Sequence, residues 1–500
     1  MTLNQNQIAY KINFLDVSGY VLTGSTLTLS NSAGGTGIIN TNTFNATISS
    51  QVLGSVGMNK NGTGTLTLSG SNSYTGTTNI NAGALSITSN SALGATGAGN
   101  GTAVTSGAAL QLSNGITVSE LLTLNGTGIS SAGALENLSG SNTYSGAITL
   151  GSASRINSDA GLLTISGGIS GTQNLTIGGA GNTTVNSIIG TGTGTLTKDG
   201  AGTLTLSGAN SYTGTTTVSA GTLQAGAANS FAPSSNYTLA NVAGATLSLN
   251  GFNQSIASIA GGGTTGGTLA LGVNNLTLTG TTSTTFAGSI TGSGSITKNN
   301  TGTFTISGTN SWTGALNLSG GAAVVISSSN ALGSSGLVTL DNGTLTNSNA
   351  SNNANFISTT RNITLGANGG TLSYTVAGNT SILGSGTVIS GTLGGAFNKA
   401  GAGTLAITTA ATYDGATNVT AGTLTQVNSN TLPSATALSI SSGATYNLGS
   451  NLNLTVGSLA GAGTLNIPGR TFTVGDANST AFFGSIQGST GTFLKVGMAR

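Results

Sequence analysis

Lys198-Asp199-Gly200-Ala201-Gly202-Thr203-Leu204-Thr205-Leu206-Ser207-Gly208-Ala209-Asn210-Ser211-Tyr212-Thr213-Gly214 runs on into Thr215-Thr216-Thr217-Val218-Ser219-Ala220-Gly221-Thr222-Leu223. The pattern returns. It begins at Lys60, Lys198, Lys298, Lys399 and Lys495, at intervals of 138, 100, 101 and 96 residues, and Leu138–Gly146 repeats its middle alone. Its heart, Thr203-Leu204-Thr205-Leu206-Ser207, alternates polar and apolar residues with period two. Thr65–Ser69, Thr303–Ser307 and Thr404–Thr408 keep the alternation. Such a strand has one face buried and the other wet. A glycine turn and a second short strand follow. A unit this small cannot cover its own apolar face, so repetition means stacking. The prediction is an all-β chain: a single-stranded parallel β-helix, each strand pairing with those one coil above and below.

Each repeat carries an aromatic in one frame: Tyr74, Tyr144, Tyr212, Trp312 and Tyr413. Two residues earlier stands Asn72, Asn142, Asn210 or Asn310, with Ala411 in the last repeat. Two residues later stands Gly76, Gly146, Gly214, Gly314 or Gly415. The identical frame predicts a structural corner. Asparagine bonds backbone, the ring packs on the next coil, and glycine supplies positive φ. A sugar-stacking aromatic is the sharper alternative.

Composition narrows the function classes. Of 500 residues, 84 are glycine and 3 are proline; charged residues make up 4 %. Low charge with regular alternation reads as β structure rather than disorder. Few prolines suit long backbone ladders. At roughly 20–25 residues per coil, about twenty coils fit. At about 4.8 Å per coil they predict an elongated rod on the order of 100 Å long. There is no cysteine and no histidine, which removes disulfides, thiolate and imidazole metal ligands, and Ser-His-Asp or Cys-His catalysis. Ten basic and eight acidic residues leave no polybasic footprint for nucleic acid. No run of 18 apolar residues marks a transmembrane helix, and no signal peptide reads at the start. Five of the six lysines occupy the repeat position, so they belong to the architecture. No cofactor motif is present. Gly292-x-Gly294-x-x-x-Lys298 lacks the end of a phosphate loop and recurs at Gly192–Lys198 as a turn.

Residues 1–57 lack the full motif and read as N-terminal strands or a cap; residues 58–500 read as the repeat region. Residues 86–195 are degenerate and hold Glu120, Glu136, Arg155 and Asp159, the densest charge in the chain. The order Ser258-Ile259-Ala260-Gly261 to Phe286-Ala287-Gly288-Ser289-Ile290 before Lys298 returns at Ser458–Gly461 and Phe482–Ile486 before Lys495. The true unit is therefore about 100 residues, several coils long. After Lys495-Val496-Gly497 the expected Gly-x-Gly-Thr-Leu-Thr-Leu does not follow, which reads as a fragment or a trimmed product.

The run at 198–223 resembles the autotransporter-associated β-strand repeat of bacterial type V secretion proteins. The resemblance is close at 60–85 and 198–223, good at 298–318 and 399–424, and partial at 138–150. It implies a right-handed parallel β-helix displayed outside a Gram-negative cell, held to the outer membrane through a barrel that this chain does not contain. It also implies a role in adhesion or aggregation, with surface glycans, surface proteins or a second copy as partners. The structural positions carried by the motif are Lys60, Tyr74, Gly76, Tyr144, Lys198, Asn210, Tyr212, Gly214, Lys298, Trp312, Gly314, Lys399, Tyr413 and Gly415.

The leading expectation is a non-enzymatic surface stalk or adhesin. A β-helical carbohydrate-active enzyme would need carboxylates converging on a groove. Glu120, Glu136 and Asp159, with Arg155, are the candidates. An ice- or crystal-binding solenoid would need Thr-x-Thr pairs at nearly every coil, whereas Thr65-x-Thr67, Thr203-x-Thr205 and Thr303-x-Thr305 recur at motif spacing. Functional amyloid is compatible with the low charge, but the glycines and the long repeat favour an intramolecular solenoid.

Overall fold

A computed structural model describes residues 1–500 except 16, 32–34, 385, 429–430, 450–451, 476–479 and 497–500. Gly497 and the residues after it, where the fifth motif breaks off, thus lie outside the described residues. Among the described residues there is no α-helix; one 3₁₀ turn spans Ile129–Ser131. Strands of two to six residues alternate with turns, apart from the long strand Ile148–Ser158. Among the described residues the pairings between them are parallel, as at Leu196↔Thr216 and Thr203↔Thr222. Parallel pairing of sequence neighbours without helices is the signature of a chain that coils. The described residues form a β-solenoid of about 23 turns.

The coils group into two compact units, Met1–Gln254 and Ser255–Arg500. In the first, the inward residues Leu66 and Leu68 pair with Ala46 and Ile48 on one side and Leu85 and Ile87 on the other. Leu110 and Leu112 follow one coil further. All seven side chains other than Ala46, which is 3 % exposed, are sealed from solvent. Full burial of each aliphatic side chain stabilises by roughly 1.5–3 kcal/mol, and the stack is built from these columns. In the second unit, Phe304 and Ile306 pair with Val324 and Ile326, and Leu345 and Leu372 continue the first of these columns.

Residues 1–57 are strands in the same stack. Thr2 pairs with Thr23, Lys11 with Ile38, and Tyr20 with Ala46.

The motif has one special property in this stack. Its register step is constant: Lys60 pairs with Ile80, Lys198 with Val218, Lys298 with Leu318 and Lys399 with Val419, 20 residues on each time. Between motifs the step varies, from 20 residues at Leu163↔Thr183 to 25 at Leu85↔Leu110 and Val338↔Ile363. The motif is a coil of fixed length, and the variable sequence between motifs carries the insertions.

Candidate functional site

The repeat lysines occupy an unexpected place. Lys198 stands inside a column of aliphatic residues, Ile156, Ile177, Lys198, Val218 and Leu239. Lys60 stands between Ile39 and Ile80, Lys298 between Leu278 and Leu318, and Lys399 between Leu372 and Val419. Their exposures are 0, 2, 2 and 0 % in chain order. The four-carbon stem fills the aliphatic slot and carries the ammonium to the corner, where carbonyls converge.

Lys198 Nζ donates to the carbonyls of Asp199 (2.6 Å), Gly200 (2.8 Å) and, one coil on, Ala220 (3.1 Å). Lys60 does the same to Asn61, Gly62 and Ala82 at 3.3, 2.8 and 2.9 Å. Lys399 reaches Ala400, Gly401 and Ala421, each at 2.9 Å. Lys298 reaches Asn300 and Thr301 but takes its third carbonyl from Gly280, in the coil before. Three donors meet three acceptors with no carboxylate involved. Burial pushes Lys60, Lys198 and Lys399 down to about 8, and lowers Lys298 in the same sense. Lys495, at the end of the strand Thr492–Lys495, is exposed.

The corner asparagine is a bridge across three coils. Asn210 Oδ1 accepts from the Ile189 amide at 2.7 Å, and its Nδ2 donates to the Ser230 carbonyl at 2.6 Å. Asn72 links Val52 to Ala92, and Asn310 links Ile290 to Ala331. Asn142 accepts from Ile116 but turns its Nδ2 to Ser139 and Asn137.

The aromatics are sealed in: Tyr74, Tyr144, Tyr212 and Trp312 are 0 % exposed and Tyr413 is 1 % exposed. No ring face is presented to a ligand, so a sugar-stacking platform at these positions has no physical basis. Tyr74, Tyr212 and Tyr413 each bond the threonine four residues on, Thr78, Thr216 and Thr417. Burial raises their hydroxyls, that of Tyr212 to about 12. Trp312 donates through Nε1 to the Gly294 carbonyl at 2.7 Å. The Arg361 guanidinium lies 5.0 Å over that indole and donates to the Gly314 and Leu332 carbonyls. It is a second kind of buried cation held by backbone, and burial pushes it down to about 10.

The corner glycines differ from expectation. Gly76 does sit at φ 90°, but Gly146, Gly214, Gly314 and Gly415 do not have positive φ. Their requirement is close approach. A Cβ on Gly214 would lie 2.3 Å from the Gly194 carbonyl, and one on Gly415 2.1 Å from that of Gly395. Gly146 and Gly314 are pressed on Glu120 and Gly294 in the same way.

The charged stretch forms a lateral ladder in the first unit. Register aligns Gln111, Glu136, Asn157 and Gly178. Gln111 Nε2 donates to Glu136 Oε2 at 2.6 Å, and Asn157 Nδ2 to Asp159 Oδ1 at 2.5 Å. Arg155 donates to both oxygens of Asp199 at 2.6 and 2.9 Å, and to Asn157 Oδ1 at 2.9 Å. Gly178 leaves the space: a Cβ there would fall 1.8 Å from Asp199 Oδ1 and 2.6 Å from Arg155 Nη2. Glu136, Asp159 and Arg155 are thus brought together, while Glu120 is buried in the core with Thr102. Sequence spacing signalled that these charges could meet. It did not signal Asp199, which belongs to the next motif. Among the described residues no group of three or more His, Cys, Asp or Glu is placed to hold a metal.

Register also builds polar columns that motif spacing alone missed. Thr117, Thr143, Thr164, Thr184 and Thr205 align on successive coils, and Thr380, Thr404, Thr423, Thr445 and Thr464 do so in the second unit. These are single columns rather than paired Thr-x-Thr arrays: beside Thr184 and Thr164 stand Asn182 and Leu162. Asparagines ladder likewise, with Asn79 Nδ2 on Asn59 Oδ1 and Asn418 Nδ2 on Asn398 Oδ1, both at 2.8 Å. A groove of about 460 Å³ in the second unit is lined by Gly263, Thr264, Ala287, Gly288, Ser289, Ser307, Gly308 and Thr309, with no titratable side chain. No described helix is long and apolar enough to cross a membrane.

Comparison with known proteins meets the same coils. The Passenger-associated-transport-repeat family matches residues 58–87, 196–225, 296–322 and 397–425, which are the four lysine-held coils. A 96-residue stretch is 48 % identical to the adhesin BmaC autotransporter of Brucella suis biovar 1 (strain 1330), covering 19 % of this chain and 3 % of that protein. The chain thus spans a small fraction of this relative's length. No solved structure matches it. With four such repeats on a β-solenoid, the chain is similar to the passenger repeats of autotransporter proteins.

Proposed function

We propose that this chain is a non-catalytic, surface-displayed segment that serves as a stalk or adhesive face outside the bacterial cell. The observation that carries the reading is the use of the motif's chemistry. The four buried lysines, the corner asparagines and the bonded aromatic hydroxyls are all engaged with their own coils. What the solenoid offers outward is neutral threonine, serine and asparagine in register, suited to many weak hydrogen bonds rather than one deep site. The adhesin name of the Brucella relative agrees with this. Surface glycans, surface proteins and a second copy of the chain are the partner classes that such a face fits.

The carboxylates support no hydrolytic reading by themselves. Arg155 is occupied by Asp199, and Glu120 is sealed from solvent at 2 % exposure. The test is display of the chain on a heterologous Gram-negative host, with an export signal and a barrel supplied. Protease-resistant surface exposure with binding to glycan or matrix-protein arrays supports an adhesive face. Exposure without binding supports a stalk. Polysaccharide cleavage by the purified chain overturns the reading.

A further inference from the structure

We propose that residues 102–159 are a proton-controlled weak link in the first unit, where stacking of the coils depends on Glu120 and Glu136 keeping their protons between two lysine-held corners.

Glu120 is the first element. It lies in the interior, with Oε2 accepting from Thr102 Oγ1 at 3.0 Å and Oε1 without a partner. The titratable groups acting on it are the buried Tyr74 and Tyr144. Neither is a cation. An ionised Glu120 would therefore be a negative charge with one hydrogen bond in an apolar core, which is strongly unfavourable. Burial accordingly pushes its carboxyl up to about 8.

Glu136 is the second. Gln111 bonds it from the coil before, and Asn157 and Asp159 face it from the coil after. The cations near this ladder are already engaged. Arg155 is bonded to Asp199 and Asn157, and Lys198 to three carbonyls. Two like charges that close do not both ionise readily without a counter-ion. Burial, with Asp159 adding, raises Glu136 to about 7.

Both carboxyls hold their protons more tightly in the folded coils than in an open chain, where their ordinary value is 4.5. The coils are then most stable below that value. They lose stability as pH rises through 7 and 8. On either side of the segment the coils at 58–87 and 196–225 are tied by Lys60 and Lys198. Lysine lowered by burial has the opposite sign, gaining stability above pH 8. The response is therefore local. The middle coils loosen near neutral pH while the corners hold, giving the first unit one preferred place to open.

Hydrogen exchange by mass spectrometry on the full chain, corrected for intrinsic exchange, at pH 5.5, 6.5 and 7.5 reads this directly. Each glutamate released on opening contributes up to about tenfold in the opening equilibrium per pH unit. Peptides within 102–159 should lose protection at least tenfold between pH 5.5 and 7.5, and those within 196–225 should not. Glu136→Gln and Glu120→Gln should each flatten the slope. Should Glu120→Gln lower protection throughout the chain, Glu136→Gln and Asp159→Asn decide: both remove the like-charge pair and must weaken the pH dependence. Equal protection of 102–159 and 196–225 at every pH, or an unchanged slope in the glutamine and asparagine variants, overturns the proposal.

Discussion

Tyr144 stands four residues before Ile148, and its buried hydroxyl has no hydrogen-bond partner. In the three full motifs that carry a tyrosine, that position holds Thr78, Thr216 or Thr417, and the tyrosine is bonded to it. An unsatisfied buried hydroxyl costs roughly 1–3 kcal/mol, whereas a made hydrogen bond contributes about 1 kcal/mol. Tyr144→Phe should therefore raise the urea midpoint of unfolding. Tyr212→Phe, which leaves the Thr216 hydroxyl without that bond, should lower it. The same sign for both substitutions would show that the aromatic frame is indifferent to its polar tip.

The lysine corner sets two terms against each other. A fall from 10.5 to about 8 for Lys198, led by burial, with Asp199 opposing it and Arg155 adding to it, corresponds to a net penalty on the charged form on the order of 3 kcal/mol. Three hydrogen bonds from a charged donor, at about 1.5–3 kcal/mol each, exceed it. Lys198→Met keeps the stem and removes the donor, leaving the Asp199, Gly200 and Ala220 carbonyls without it. Net destabilisation of about 1–3 kcal/mol is expected, read as a lower urea midpoint and as lost amide protection around 196–225. A methionine variant as stable as the parent would mean that desolvation cancels the bonds.

pH tests the same balance in the second unit. Lys399 has a folded value near 8 against an ordinary 10.5, so the folded chain gives up its proton first. Stability carried by this group should rise as pH increases from 8 toward 10.5. The buried Tyr413 and Tyr446 hydroxyls are pushed up and act in the opposite direction above their ordinary 10. The gain is therefore expected between pH 8 and 10. Amide protection around 397–425 across that window checks it, and Lys399→Met should remove the rise.

Close approach, not backbone handedness, is what most corner glycines supply. Gly214→Ala would put a Cβ 2.3 Å from the Gly194 carbonyl, a contact that forces the coils apart. Gly76→Ala meets both a 2.7 Å contact with the Gly57 amide nitrogen and a φ of 90°. Both should cost more than 3 kcal/mol, well above the ~1 kcal/mol of a simple Gly-to-Ala entropy difference. A mild effect of Gly214→Ala would mean that the coils can separate at this corner and that close approach does not demand glycine there.

The period-two alternation of Thr203–Ser207 and the repeating lysine frame made the coiled β architecture legible, because both depend on residues adjacent in sequence. What was not legible depends on register between coils. The slot of Lys198 between Ile177 and Val218 is invisible until the 20-residue step is known. The pairing of Arg155 with Asp199 spans 44 residues, and Gly178 makes room for it from a third position. The threonine column 143, 164, 184 and 205 arises from steps of 20 and 21 residues, and it enters a full motif only at Thr205. Glycine at the corner suggested a dihedral angle, because an isolated sequence gives no distance to the coil beneath.

The fourth motif provides the last test. Ala411 occupies the place of the bridging asparagine, and its amide still bonds the Thr431 carbonyl at 3.0 Å, as that of Asn72 bonds Ser91 at 3.1 Å. Asn72 goes on to donate through Nδ2 to the next carbonyl, Ala92. The equivalent acceptor beside Ala411 is Leu432. Ala411 is 7 % exposed, so a side chain there enters the corner rather than solvent. Ala411→Asn should close the bridge and stabilise the fourth motif by about 1 kcal/mol, read as a higher urea midpoint and slower exchange around 397–425. Destabilisation instead would mean that this corner has repacked around alanine, and that the three-coil bridge is a property of the first three motifs alone.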